Sequence, residues 1–277
     1  MNDEKVKHRR KKLGRGLADV SHVFLSGVSE KQTTEPGDFW LPERSLITVT
    51  SPSEIKGKTL LAANLAYGLA SRGRRVKLVS DDETLISQRA DRLTSDAGGA
   101  LSILSLREMG PTASGVDLDP DWVDGIASDS DLVIVEIAAG DPKSAGIWRF
   151  SRLVIVIAEP GTQQMQAAYA TIKRVTGSSR KIRIGLVVNL ARSYDEAERC
   201  FRKISSACRQ FLKINIRNYG HILFDESIEE TKRQGRPLWE VSDSSIGECM
   251  RSIVRCFVID ERAIGRRRKE VKQRSCV

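Results

Sequence analysis

Residues 46–59 read LITVTSPSEIKGKT, a stretch whose residue order predicts a strand, a loop and the start of a helix. It opens with a continuous apolar and β-branched run, Leu46–Thr50, which predicts a strand buried on both faces. It closes with Gly57-Lys58-Thr59, directly before a segment rich in leucine and alanine, Thr59–Ser71, which predicts a helix. A strand, a short loop and then a helix form the context in which a Gly-Lys-Thr tripeptide binds phosphate.

The residue types at this loop suit phosphate chemistry. A helix N-terminus offers unpaired N–H groups and the positive end of the helix dipole, and glycine lets the backbone approach closely. Lysine pairs with the β- and γ-phosphates of a nucleotide, and threonine coordinates the accompanying magnesium. We therefore predict that a nucleotide is bound by Lys56, Gly57, Lys58, Thr59 and Leu60, with Thr59 also contacting magnesium.

Strands continue to alternate with helices after this loop. Predicted strands are Val76–Val79, Leu132–Ile137, Leu153–Ile157, Ile182–Asn189 and one within Ile214–Leu223. Predicted helices are Gln163–Val175, Asp195–Phe211, Asp225–Gln234 and Ile246–Val258. This order predicts an α/β fold with a parallel sheet covered by helices on both faces.

Charge is concentrated at the two ends of the 277-residue chain. The net charge is +9, yet residues 1–16 carry +5 and residues 262–277 carry +6, so residues 17–261 sum to about −2. We predict three regions: a basic, largely disordered tail with a short amphipathic segment at 1–38, a P-loop domain at 39–260, and a basic tail at 261–277.

Composition also excludes several classes. No apolar run approaches the roughly 18 residues of a membrane span, and the basic N-terminus lacks the apolar stretch of a signal peptide. The five cysteines form no C-x-x-C pair and the three histidines are scattered, which favours free thiols over disulfides or zinc. We expect a cytoplasmic protein.

Several motifs together resemble the MinD/ParA ATPases, which have a deviant Walker A loop. The resemblance covers residues 46–260. It begins with the loop and the helix after it, and continues in DLVIVEIAAG at 131–140, VIVIAEPGT at 154–162 with AYATIK at 168–173, and GLVVNLARSYDEAERCF at 185–201. The last of these, with its continuation through Trp239, is most similar to the FlhG/FleN branch, which regulates flagellar number and placement.

The resemblance implies ATP and magnesium as cofactors, and a homodimer that forms when nucleotide binds. It places Asp82 at a catalytic position and Glu136 beside the magnesium. It also places Gly140 in the switch loop and Asn189 against the adenine. Asn189 has an equally weighted alternative as a helix N-cap or turn residue.

This chain also departs from the family pattern. Where the family loop reads GKGGxGKT, residues 52–59 read PSEIKGKT. Ser53 thus replaces the lysine that reaches across the family's dimer, and Glu54 and Ile55 replace glycines. The β-branched side chain of Ile55 resists positive φ, and the carboxylate of Glu54 repels phosphate. The other departures are Ser80 at the first aspartate of D-x-D, Glu136 at the Walker B aspartate and Ala138 at the switch proline. They predict weakened nucleotide binding and weak or absent hydrolysis.

Three functions remain open on the sequence. The first is an ATP-binding switch in spatial positioning or regulation, of the flagellar-placement or partition type, acting through dimerisation and partner binding. The second is a pseudo-ATPase scaffold with the same fold. The third is a relative of the polysaccharide-export tyrosine kinases, ranked last because the last tyrosine is Tyr219 and the tail is basic.

The ends of the chain suggest partners. Residues 13–17, LGRGL, are interpreted as a docking peptide for a protein partner or as a flexible tail. The basic tails could hold the protein on nucleic acid or at the inner face of the cell membrane. A helical stripe formed by Ile246, Met250, Ile253, Val254, Phe257 and Val258 is expected to pack on its own domain, with a membrane-surface helix as the alternative.

Overall fold

A computed structural model describes residues 46–82, 85, 100–107, 125–179, 182–226 and 245–274, with side chains of the last helix described to residue 260. The described strands form one seven-stranded sheet in which every neighbouring pair is parallel. They are β1 (Leu46–Ser51), β2 (Val76–Ser80), β3 (Leu101–Ser105), β4 (Leu132–Ala138), β5 (Leu153–Ala158), β6 (Arg183–Ala191) and β7 (Arg217–Leu223). Their order across the sheet is β3-β2-β4-β1-β5-β6-β7, so β1 lies in the middle.

Helices cover both faces of this sheet. They are α1 (Lys58–Ala70), α2 (Ser144–Phe150), α3 (Thr162–Ser178), α4 (Tyr194–Ala207), which continues into a π-helical turn at Cys208–Leu212, and α5 (Ser245–Arg274). The apolar residues of α1 and α5 pack on one face, and those of α2, α3 and α4 pack on the other. The predicted fold class, a parallel sheet with helices on both faces, is therefore confirmed.

Two elements were not predicted from the sequence, namely β3 and α2. In β3 the serines interrupt the apolar run, and its position at the edge of the sheet leaves most of it half-buried. The predicted helix Asp225–Gln234 lies almost entirely outside the described residues, as do residues 1–45 with the LGRGL peptide.

Helix α5 packs on its own domain. The stripe residues Ile246, Met250, Ile253, Val254 and Phe257 are buried in the cluster that includes α1, and Val258 packs against that cluster from a half-buried position. The helix also extends 16 residues beyond the predicted end at Val258. No helix in the described part of the chain, α5 included, is long and apolar enough to cross a membrane.

An acidic side chain anchors α5 to the sheet. Asp260 is buried, and its carboxylate accepts a hydrogen bond from the Tyr219 hydroxyl at 2.6 Å. The same carboxylate forms ion pairs with Arg183 on β6 and Arg217 on β7. These contacts fix the helix at the point where its apolar stripe ends.

Candidate nucleotide-binding site

Strand alternation selects the side chains that meet at the carboxyl edge of the sheet. Along β4, Ile134 packs into the cluster beneath α1, and Val135 packs into the opposite layer. Because side chains alternate, Glu136 faces α1. The same alternation turns three other residues near the carboxyl ends of β2, β5 and β6 toward the start of α1, namely Ser80, Glu159 and Asn189.

The loop from β1 to α1 is held by its own short contacts. The Ser51 hydroxyl donates to the Ile55 carbonyl at 3.0 Å, and the Ile55 N–H donates to the Pro52 carbonyl at 3.1 Å. Ile55 avoids positive φ and buries its side chain against the core beneath α1, while Glu54 remains exposed. The expected conflict at Ile55 is therefore resolved by a loop in which only Gly57 is left-handed, with φ of 95°.

Asn189 closes the far side of this loop. Its Nδ2 donates to the Lys56 carbonyl at 3.0 Å, and a Cβ built on Gly57 would lie 2.5 Å from that same nitrogen. The N-cap alternative for Asn189 is wrong, because the side chain that caps α4 is Ser193, which accepts from the Glu196 N–H.

The carbonyl oxygen of the Asn189 side chain has no partner. Asn189 is only 3% exposed, and its Oδ1 is buried without a hydrogen bond to any described residue. A buried acceptor without a donor costs free energy, roughly 1–3 kcal/mol. An N–H donor from a ligand, such as the exocyclic amine of adenine, would satisfy it.

Glu136 is the central carboxylate of the site. It is fully buried, and its Oε1 pairs with the Lys58 ammonium and accepts from the Thr59 hydroxyl. Its Oε2 accepts from the Ser80 hydroxyl at 2.5 Å. Ser80 stands where the resemblance places an aspartate, and a serine there avoids a second carboxylate against the buried Glu136.

Two aspartates follow Ser80. The Asp82 Oδ2 lies 3.1 Å from the Thr59 hydroxyl oxygen, and its Oδ1 accepts from the Leu85 N–H at 2.9 Å. Asp81 lies farther from the centre, with its Oδ1 3.6 Å from the Lys58 nitrogen. Because the Thr59 hydroxyl has one proton, it can donate to Glu136 or to Asp82 but not to both fully.

Sequence reasoning missed Glu159, which directly follows β5. Its Oε1 accepts from the Lys56 N–H at 3.3 Å, so both backbone groups of Lys56 are held by side chains while the Lys56 side chain itself is exposed. Burial raises the pKa of the Glu159 carboxyl, and the Lys56 N–H and charge oppose that rise. An acid placed directly after a buried strand at the carboxyl edge was the available sequence signal.

The two remaining predicted residues lie at the margins. Gly140 is exposed, and a Cβ built on it would lie 3.1 Å from the Ser53 hydroxyl, so the loop after β4 passes close to the position of the missing lysine. Leu60 packs against the core from a half-buried position, and its carbonyl accepts from the Asn64 side chain at 2.8 Å.

The described groups fit a nucleotide. A 13-residue helix begins at the loop, Gly57 supplies the left-handed turn, Lys58 and Thr59 lie together, and Asn189 presents a buried acceptor without a partner. Lys58 and Thr59 are, however, already engaged by Glu136.

Known proteins are similar to this chain in sequence or in fold. No family model matches the chain. The sequence is similar to the antiactivator FleN of Pseudomonas aeruginosa, with 27% identity over 222 residues that cover 70% of this chain and 79% of FleN.

Solved structures show the same fold. The MinD cell division protein of Aquifex aeolicus, in its complex with MinC, covers 77% of this chain and 95% of its own, with 16% identity and a TM-score of 0.59. MinD of Pyrococcus horikoshii, complexed with Mg-ADP, covers 76% and 94%, with 17% identity and a TM-score of 0.52. The chain therefore has the fold of these MinD proteins, and its sequence is similar to that of FleN.

Proposed function

We propose that this chain is a nucleotide-binding regulatory protein of the MinD/ParA type that binds ATP with magnesium and acts in spatial positioning or regulation. The observation that carries the proposal is the pairing of Lys58 and Thr59 at the start of α1 with the unsatisfied Asn189 Oδ1 across the same loop. Together they offer a phosphate-binding end and a base-binding end.

Each residue has a role in this proposal. Lys58 would pair with the β- and γ-phosphates, while Thr59 and Glu136 would hold the magnesium side of the site. The Oδ1 of Asn189 would accept from the adenine amine. Asp82 would orient water near the γ-phosphate, and Gly140 would let the loop after β4 approach it. When bound, magnesium-ATP supplies charge that can order the loops after β2 and β4. Loss of the γ-phosphate would release these loops.

Partner binding is part of the proposal. FleN is named as an antiactivator and MinD is found in a complex with MinC, which supports action through a protein partner. We propose a nucleotide-dependent homodimer and a docking role for the N-terminal segment. The proposed place of action is the cytoplasm, where the basic ends at 1–16 and 262–277 would contact an anionic membrane or nucleic acid.

A second candidate function is a scaffold that binds partners without hydrolysis. The observation that favours it is the engagement of both Lys58 and Thr59 by the buried Glu136. A phosphate group would have to compete with this carboxylate, and the catalysis of phosphoryl transfer depends on positioning and charge stabilisation.

Calorimetry with ATP and magnesium separates the two functions. The switch predicts affinity near the micromolar range, about −8 kcal/mol, and loss of binding in Lys58→Ala. Lys173→Ala removes the same charge from an exposed position on α3 and should bind like the wild type. Equal binding by Lys58→Ala and the wild type would place the site elsewhere. No binding by the wild type at millimolar ATP would favour the scaffold.

A further inference from the structure

Two carboxylates flank the phosphate loop. The loop follows β1, and β1 lies between β4 and β5 in the sheet. Glu136 contacts the loop from β4, and Glu159, the residue directly after β5, contacts it from the other side. Both face α1, so the loop is held between two acidic side chains.

These carboxylates occupy the groups that phosphate would use. Glu136 pairs with the Lys58 ammonium and accepts a hydrogen bond from the Thr59 hydroxyl. Glu159 accepts a hydrogen bond from the Lys56 N–H within the loop. An ammonium, a hydroxyl and a loop N–H are the donors that bind phosphate oxygens at a helix N-terminus. Each of the three is therefore bonded to an anion belonging to the chain itself.

We infer that Glu136 and Glu159 serve as built-in anions that keep the phosphate loop formed without a ligand, and that Glu159 sets the affinity for phosphate-bearing ligands by occupying the Lys56 N–H. This inference rests on the proposed function, since it concerns the same site. The ligand class is a polyphosphate chain, whether free or carried by a nucleotide.

The contacts identify Glu159 as the carboxylate that a ligand displaces. Glu136 is fully buried and accepts from three side chains, so its position is fixed by the fold. Glu159 is half-buried, and the bond from the Lys56 N–H, at 3.3 Å, is long for an N–H to a carboxylate. A half-buried carboxylate can rotate toward water at small cost once a phosphate takes its donor.

Charge and hydrogen bonding can be separated at Glu159. Glu159→Gln keeps an oxygen that accepts from the Lys56 N–H but removes the negative charge. Because like charges brought close together repel, the variant is expected to bind ATP roughly tenfold more tightly than the wild type. If Glu159 only braced the loop, Glu159→Gln would keep that contact and would bind ATP no more tightly than the wild type.

The test is calorimetric titration of the full chain with magnesium-ATP, and separately with tripolyphosphate, alongside thermal melting with and without each ligand. Glu198→Gln is the matched control, because it removes one negative charge from the surface of α4, where Glu198 pairs with Arg202. This control is expected to stay within about twofold of the wild type, since the Glu198 charge is partly exposed to solvent and screened by salt. Tighter tripolyphosphate binding by Glu159→Gln would assign the effect to phosphate rather than to the base.

The outcomes separate the inference from the proposed function. If the wild type binds ATP and Glu159→Gln binds it no more tightly, the inference is overturned and the proposed function stands. If only Glu159→Gln binds, the inference stands and the wild-type site is closed, which favours the scaffold. If neither binds either ligand, both are overturned, because removing the competing charge should have opened the loop.

Discussion

Gly57 and Asn189 are packed so closely that a Cβ on Gly57 would lie 2.5 Å from Asn189 Nδ2, a distance that forces one of them to move. Gly57 also has φ of 95°, which side chains other than glycine rarely adopt. Gly57→Ala is therefore expected to lower the free energy of unfolding by at least about 1–3 kcal/mol, measured by urea denaturation. It should also displace Asn189 and weaken any ATP binding.

Gly73→Ala separates the two causes of this effect. Gly73 has φ of 79°, but a Cβ there would meet nothing within 4 Å. This variant therefore carries the backbone strain without the collision. If it destabilises the protein as much as Gly57→Ala does, and leaves nucleotide binding equally affected, the contact with Asn189 has no measurable role.

Ser80 is expected to matter because its hydroxyl supports a buried charge. It donates to Glu136 Oε2 and accepts from the Asp82 N–H at 3.1 Å. Ser80→Ala removes both bonds and should cost about 1–3 kcal/mol of unfolding free energy, measured by chemical denaturation.

Thr50 on β1 gives the opposite expectation. Its Oγ1 is buried without a hydrogen-bond partner among the described residues. Thr50→Val keeps the side-chain shape and removes an unsatisfied group, so it should be neutral or stabilising by up to about 1 kcal/mol. Destabilisation by Thr50→Val comparable to that of Ser80→Ala would contradict the hydrogen-bond assignment.

Asp260 is predicted to fix α5 to the sheet. Asp260→Asn leaves Arg183 and Arg217 without their counter-charge, although Arg217 is largely exposed, and should cost about 3 kcal/mol in urea denaturation. Asp131→Asn is the control, since it breaks the exposed ion pair with Arg75 and should have a much smaller effect. Similar losses in the two variants would argue against a special role for the Asp260 contacts.

Stability should fall at alkaline pH because of buried thiols. Burial raises the pKa of Cys208 from 9.0 to about 12. Since the folded-state pKa lies above the unfolded one, the thiol's contribution is full below pH 9 and is lost progressively as the pH rises toward 12. Cys208→Ala should therefore reduce the slope of unfolding free energy against pH in this window by up to about 1.4 kcal/mol per pH unit. The measurement is urea denaturation at several pH values, and an unchanged slope would mean that the thiol titrates normally.

The elements that were predicted correctly have strong local patterns. Strands β1, β4 and β5 are continuous apolar runs, and such runs in alternation with helices lead to a parallel sheet. The edge strand β3 was missed because its serines give no such run, and among the described strands it pairs with β2 alone. The second half of α5 was missed because its basic residues show no apolar periodicity. The first half packs on the domain and nucleates the helix, which then continues through the basic residues.

Some residues of the candidate site could likewise be predicted from the sequence, and others could not. Lys58, Thr59 and Glu136 could be identified from the motif and its resemblance, and they do come together. Glu159 offered one signal, its place directly after a buried strand, and nothing in the sequence linked it to Lys56, which lies 103 positions earlier in the chain. The position of Asn189 relative to Gly57 was equally inaccessible, since residue spacing carries no information about which loop a strand end will meet.

Local residue order and hydrophobic periodicity were enough to predict the class of fold, the location of the phosphate loop and the departures from the family pattern. Only the tertiary structure decided that Glu136 and Glu159 engage the loop's phosphate-binding groups and that Asn189 keeps an unsatisfied acceptor. The physical reason is that strand order across the sheet places β4, β5 and β6 beside the loop, and packing then sets hydrogen bonds between residues far apart in the chain.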